Sequence, residues 1–298
     1  MRKFKVALIQ TMVYDDKEKN VKNAVKMIGK VSKEGADIAV LPEMFCCPYN
    51  TSYFRKYGEE EGGYAYKELS KAANSSGIYV VAGTIPELER THVYNTSYVF
   101  DRKGKRVAKH RKMHLFDIDV EGGQYFKESD VLSPGRDVTV FDTEFCKIGL
   151  GICYDIRFPE LSRLMVLEGA EVIIFPAAFN MTTGPAHWEL NFRGRALDNQ
   201  VYTVGVAPAR DMESSYHSYG NSIVVSPWGN VINRMDEKEG YIIQEIDLEY
   251  VKKVRNELPA TPPGIYSNTA KHIYRRKENA CFFGLQLFCL SGNVCLYC

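Results

Sequence analysis

Short apolar runs and stretches of helical spacing follow one another along this chain. Phe4-Lys5-Val6-Ala7-Leu8-Ile9-Gln10 has the length and composition of a strand. Asp16 to Lys33 then places Val21, Ala24, Val25, Ile28 and Val31 at helical spacing and stops near Gly35. Ala36-Asp37-Ile38-Ala39-Val40-Leu41 is a near-continuous apolar run of the kind buried on both faces, and it ends at Pro42-Glu43. A helix is predicted over 64–73, a strand over 78–86, and a hairpin of strands 94–101 and 106–109 about Arg102-Lys103-Gly104-Lys105. The rhythm then repeats: strand 147–152, helix 161–168, strand 172–176, helix 188–199, strand 201–206. A hairpin about Pro227-Trp228-Gly229, a strand over 241–246 and a helix over 248–256 follow.

Strands alternating with helices predict α/β layering in a single domain, and the repeated rhythm suits two sheets packed face to face with helices outside. No repeat or low-complexity linker interrupts it. With 45% hydrophobic and 25% charged residues among 298, the chain can bury a large core. A net charge of +1 gives no electrostatic footprint for nucleic acid or an anionic membrane. The apolar run at the N-terminus is too short for a signal peptide, so a cytoplasmic protein with reduced thiols is expected. Of 8 cysteines, Cys46, Cys47, Cys146 and Cys153 lie in the body, without zinc-ligand spacing, and four crowd the last stretch from Cys281 to Cys298.

The strand ends carry the candidate chemistry. In Gly149-Leu150-Gly151-Ile152-Cys153-Tyr154-Asp155-Ile156-Arg157-Phe158-Pro159-Glu160, a buried strand with glycines gives way to a helix opened by proline, and Cys153 sits on the elbow. A thiol there is either a nucleophile near anion-stabilising N–H groups or a small buried hydrophobe. Glu43, directly after an apolar strand, is either a desolvated base for that thiol or a loop carboxylate facing water. Lys112, in Lys109-His110-Arg111-Lys112-Met113-His114, either belongs to a solvated basic face or holds an oxyanion inside a site.

Taken together, Glu43 after a strand, Lys112 in Arg-Lys-Met-His-Leu-Phe, and Cys153 in Gly-Leu-Gly-Ile-Cys-Tyr-Asp resemble the Glu-Lys-Cys triad of the nitrilase superfamily, the carbon–nitrogen hydrolases. The resemblance covers roughly residues 4 to 278. It implies a four-layer α-β-β-α sandwich, a homodimer, and covalent thiol catalysis without metal or organic cofactor. Glu128, in Phe126-Lys127-Glu128 before Ser133-Pro134-Gly135, matches a second glutamate of that family, which would orient Lys112. Within the superfamily the chain is more similar to ω-amidases, through Met113 to Val120, Phe179 to Leu190, Arg195 to Tyr202 and Pro208 to Asp211. Enzymes acting on deaminated glutathione are the alternative.

The reaction so implied is hydrolysis of the terminal carboxamide of a small dicarboxylate ω-amide, such as 2-oxoglutaramate or 2-oxosuccinamate. Cys153 would attack, Glu43 would move the proton, and Lys112 with the backbone N–H of Tyr154 would hold the oxyanion. The far carboxylate of such a substrate needs a fixed cation. Arg157 suits it, unless it is spent on Glu160 or Asp155; Thr183 would add a hydroxyl and Phe179 an apolar wall. His187 and Trp188 would frame the pocket. Residues 1–278 are expected to form the hydrolase domain. The Cys-rich apolar tail, 279–298, departs from the family pattern and is expected to lie outside the fold; it is marginal in length for a membrane span.

Overall fold

The computed structural model describes residues 3–120 and 125–260; the C-terminal tail lies outside them. In chain order the first half holds β1 (Lys3–Gln10), α1 (Lys17–Lys33), β2 (Ile38–Val40), α2 (Thr51–Tyr57), α3 (Tyr64–Ser76) and β3 (Tyr79–Val81). It continues through β4 (Ile85–Glu89), β5 (His92–Phe100), β6 (Arg106–Arg111), β7 (Asp117–Asp119) and β8 (Tyr125–Lys127). The second half holds β9 (Thr139–Asp142), β10 (Lys147–Leu150), α4 (Pro159–Leu167), β11 (Ala170–Pro176), α5 (Gly184–Asn199) and β12 (Tyr202–Val206). The described chain ends with β13 (Ile223–Val225), β14 (Val231–Arg234), β15 (Gly240–Asp247) and α6 (Leu248–Glu257).

One sheet runs β15-β1-β2-β3-β5, with β4 and β6 also hydrogen-bonded to β5; the other runs β14-β13-β12-β11-β10-β9. Strand parity explains the layers. Phe4, Val6 and Leu8, with Ile38, Val40 and Val81, face Ile148, Leu150, Val172, Ile174, Val204 and Val224 of the second sheet in one core. The alternate residues, Ala7, Ile9, Ala39, Leu41 and Val80, meet Val21, Ala24 and Ile28 of α1 and Leu69 and Ala73 of α3. On the far side Ile173, Phe175 and Val225 meet Leu161 and Met165 of α4 and Trp188, Phe192 and Ala196 of α5. Three cores separate four layers, and the continuous apolar runs are strands buried on both faces.

The expected strand over 78–86 is two strands. Ala82 to Thr84 break it, with Gly83 at φ +49°, and both pieces then pair with β5. Helix α2 and strand β9 carry too few periodic residues to have been expected. The connectivity also sets the site. Strand β2 is parallel to β3, β3 antiparallel to β5, and β5 antiparallel to β6, so β2 and β6 run the same way. The residues that follow them, Glu43 and Lys112, therefore emerge at one end of the sheet.

Candidate active site

The break in the third strand presses on the loop that carries Glu43. A Cβ on Gly83 would sit 2.1 Å from the Pro42 carbonyl oxygen, so only glycine allows the approach. Thr84 donates its N–H to Pro42 O at 3.2 Å and accepts the Met44 N–H on Oγ1 at 2.8 Å. Glu43 is thus bracketed on both sides and wholly buried. Lys112 is bracketed in the same manner: its N–H donates to Asn95 O at 2.9 Å, and its carbonyl accepts from Gly135 N at 2.8 Å. A Cβ on Gly135 would meet Arg111 O at 2.1 Å, which explains the Ser133-Pro134-Gly135 turn.

Cys153 adopts φ +46°, a left-handed conformation that costs a non-glycine residue about 1–3 kcal/mol and gathers at functional sites. It opens a short 3₁₀ helix, Cys153–Arg157, rather than the α-helix itself, which starts at Pro159. Asp155, fully buried, holds the elbow. Its Oδ2 accepts Ile152 N–H at 3.0 Å and His110 Nε2 at 3.1 Å; its Oδ1 accepts His114 N–H at 2.9 Å and His114 Nδ1 at 2.8 Å. These histidines flank Lys112 at two residues on either side. One carboxylate therefore ties the lysine's segment to the cysteine's, and its acceptor role holds its pKa below the usual carboxylate range despite burial.

At the centre, Lys112 Nζ donates to Glu43 Oε1 at 2.9 Å and lies 2.9 Å from Glu128 Oε2, all three side chains without exposure. Glu43 Oε1 also accepts Asn95 Nδ2 at 2.8 Å, whereas its Oε2 is buried with no partner among the described residues. Glu128 accepts the Tyr49 hydroxyl at 2.6 Å and the Phe116 N–H at 2.7 Å. Burial opposes the charge on Lys112, but Glu128 and Glu43 outweigh it and raise its pKa, so it remains an ammonium. Burial pushes the Glu128 carboxyl up, against the pull of Lys112. The Cys153 thiol is raised well above its ordinary value by burial and then by Glu43, with Lys112 and the Ala178 N–H opposing. The resting sulfur is a thiol beside a carboxylate, and needs that base to become a nucleophile.

A pocket bounded by Cys153, Tyr154, Arg157, Phe179 and Thr183, with Phe116 and Tyr216, opens beside this cluster. Phe179 and Thr183 line it as the sequence suggested. Arg157 is spent on neither Glu160 nor Asp155: its two Nη atoms lie 3.2 and 3.3 Å from His187 Nδ1, and its guanidinium rests over Phe179 and Tyr154 at 5.0 and 5.5 Å. Trp188 does not frame the pocket. It is buried in the core behind Phe179, with Nε1 on Asn221 O at 2.8 Å. Tyr49, Asn95, Tyr216 and the bridging role of Asp155 were not foreseen; their partners lie tens of residues away and leave no local pattern.

Three comparisons bear on this arrangement. The family model described as carbon-nitrogen hydrolase matches residues 5–256. An omega-amidase NIT2 of Xenopus tropicalis is 49% identical over 259 residues, 87% of this chain and 94% of that one. An omega-amidase NIT2 of Bos taurus is 45% identical over 274 residues, 92% of this chain and 98% of that one. Among solved structures, Saccharomyces cerevisiae Nit3, a member of branch 10 of the nitrilase superfamily, superposes with a TM-score of 0.81 at 44% identity, covering 88% of this chain and 96% of that one.

Proposed function

Because this chain belongs to the carbon–nitrogen hydrolase family, we propose that it is an ω-amidase, releasing ammonia from the terminal carboxamide of small dicarboxylate ω-amides. In this reading Glu43 Oε2 takes the Cys153 proton as sulfur bonds to the carboxamide carbon. Lys112, whose third ammonium proton makes only a long 3.5 Å contact to the Tyr49 hydroxyl, turns that proton to the oxyanion together with the Tyr154 N–H. The C–N bond breaks, and ammonia leaves with the proton from Glu43. Water then attacks the thioester, Glu43 takes its proton, the C–S bond breaks, and the proton returns to sulfur. Glu128 holds Lys112 in place and in charge. The carboxylate at the substrate's far end pairs with Arg157, beside Thr183 and the Phe179 wall.

The observation that carries this reading is the asymmetry of Glu43: one oxygen is committed to Lys112 and Asn95, and the other is buried, unpartnered and free to move a proton. The test is a parallel measurement of kcat/KM on 2-oxoglutaramate, 2-oxosuccinamate, glutamine, deaminated glutathione and a nitrile, with Cys153→Ala as the blank. The oxo ω-amides should lead, and the blank should lose about four or more orders of magnitude. Preference for the peptide would transfer the chain to the deaminated-glutathione reading, and turnover by the blank would remove Cys153 as nucleophile.

We also propose a homodimer in the cytoplasm. Leu190 and Leu197, 69% and 52% exposed and one heptad apart on α5, present apolar surface that a second copy would cover, with the turn at Gly229 against Leu197. Cys46, Cys47 and Cys153 form no disulfide among the described residues, as in a reducing compartment.

A further inference from the structure

Glu43 and Cys153 are neighbours that line different cavities. The pocket that contains Cys153 and Arg157 does not include Glu43. Glu43 instead lies at the end of a second cavity of about 30 Å³, whose inner wall is Glu43, Ala178 and Ala209 and whose outer residues are Val13, Asp211 and Ser214. The inner three are buried and the outer three half-buried, so the cavity is a passage from the surface to the carboxylate. Ala178 and Tyr216 line both cavities, and the Tyr216 hydroxyl donates to the Ala178 carbonyl. The space has room for one or two waters, each needing about 10–15 Å³ of such volume.

The two mouths differ in charge. Arg157 stands at one and Asp211 at the other. An anionic acid is drawn to the first and repelled by the second, while ammonia, ammonium and water are free to use the second. Resting on the amidase reading above, we propose that the Glu43 passage is the route of the small reactants: ammonia leaves through it, and the hydrolytic water enters through it while the acyl group fills the Arg157 pocket. The chemistry requires the two species to meet Glu43. When the C–N bond breaks, the departing nitrogen takes its proton from Glu43 and so departs on that side. When the water oxygen bonds to the thioester carbon, Glu43 removes its proton and the C–S electron pair returns to sulfur. Released ammonia only has to diffuse away, whereas water has to be held at Glu43, so obstruction slows thioester breakdown most.

The experiment fills the passage without touching the acyl pocket. Ala209→Leu places a larger side chain at the inner wall, and Ser214→Phe obstructs the mouth. Each full-length variant is compared with wild type by melting temperature, by kcat and KM on 2-oxoglutaramate, and by intact mass during turnover. The expected result is a kcat lowered at least about tenfold with KM unchanged or lower, and a rise in the fraction of protein carrying the acyl mass. A folded variant with wild-type kcat overturns the proposal. So does a raised KM without acyl accumulation, which would make the passage an acyl site. If Ala209→Leu does not fold, Ser214→Phe decides by the same readings. A wild type inactive on every amide removes the amidase reading itself; an active wild type with indifferent variants removes only the passage.

Discussion

Two cations belong to the site and are held in opposite ways. Lys112 is fully buried, bonded to two carboxylates at 2.9 Å, with its backbone fixed on both sides. Arg157 is half-buried, rests on two aromatic faces, meets a histidine ring nitrogen, and has no carboxylate partner among the described residues. Its Nε is buried without a hydrogen-bond partner among the described residues. A charge in low dielectric persists only where opposite charge and hydrogen bonds compensate it, and Lys112 has that compensation in place before any substrate arrives. Arg157 lacks it and keeps donors in reserve. The first arrangement suits a charge that must be ready for a transient oxyanion; the second suits a charge whose partner comes with the substrate.

Removing each cation should expose that difference. Lys112→Met leaves Glu43 and Glu128 buried together without a counter-charge, and breaking a buried pair in this way costs about 3–5 kcal/mol. Losing an oxyanion donor adds a fall of about 10²–10³ in kcat. The pH dependence should also steepen. Burial already pushes Glu128 up, and without Lys112 its folded-state pKa lies further above the unfolded value of about 4.3. The native state then holds a proton that the unfolded state has lost, so stability falls as pH rises above that value. Melting temperatures from pH 5 to 8 check this: the variant should be more stable at the acid end. A flat profile with wild-type stability would mean that the cluster does not depend on its lysine.

Asp155→Asn tests what joins the two arms. The carboxylate holds His110 and His114 around Lys112, and Ile152 before Cys153. A small misplacement of reacting groups costs up to about 10²-fold, so kcat should fall by about that factor with KM little changed. Asp155 has a depressed pKa, so its contribution to stability is present above the unfolded value of about 3.9 and is lost as pH falls below it. The variant should therefore lose the wild type's acid sensitivity in that window, which acid titration followed by circular dichroism would show.

At the rim, Arg157→Ala should leave melting temperature and kcat nearly unchanged and raise KM for carboxylate-bearing amides. A charge-assisted hydrogen bond of about 1.5–3 kcal/mol corresponds to roughly 10–150-fold. Neutral amides should be almost indifferent. Equal losses on both classes would place Arg157 among structural residues.

The same contrast marks what the sequence could disclose. Runs such as Ile38 to Leu41 and Val172 to Phe175 announce strands buried on two faces, because hydrophobicity is written residue by residue. Glu43, Lys112, Glu128 and Cys153 were legible because each stands in a dense local motif. Asn95 and Tyr49 were not. Asn95 reaches Glu43 across 52 residues and Tyr49 reaches Glu128 across 79, and such contacts are set by strand order alone. The strand break at Gly83 was hidden for a related reason: the glycine answers a carbonyl on the neighbouring loop, and nothing in its own segment shows that. For Arg157 the alternative partners are not the ones it takes, since it meets His187 and Asp155 is already committed to two histidines.

His187 gives the finest test of the contrast, because its ring touches Arg157 and is not among the residues lining the pocket. Its Nδ1 accepts from the guanidinium, while its backbone is fixed inside α5 by N–H to Thr183 O at 2.8 Å and C=O from Asn191 Nδ2 at 2.7 Å. Replacing the ring with leucine removes the acceptor and keeps the helix. A single hydrogen bond contributes about 0.5–1.5 kcal/mol, so KM for a carboxylate-bearing amide should rise about two- to twelvefold. The mechanism specifies more than that rise. Neutral amides should not register the change, kcat should stay where it was, and the effect should vanish in an Arg157→Ala background, since a positioning residue has nothing to position there. His187→Gln, which restores an acceptor, should recover part of the affinity. If His187→Leu weakens neutral and anionic amides alike, or still acts when Arg157 is gone, the ring shapes the pocket wall instead, and the guanidinium needs no guide.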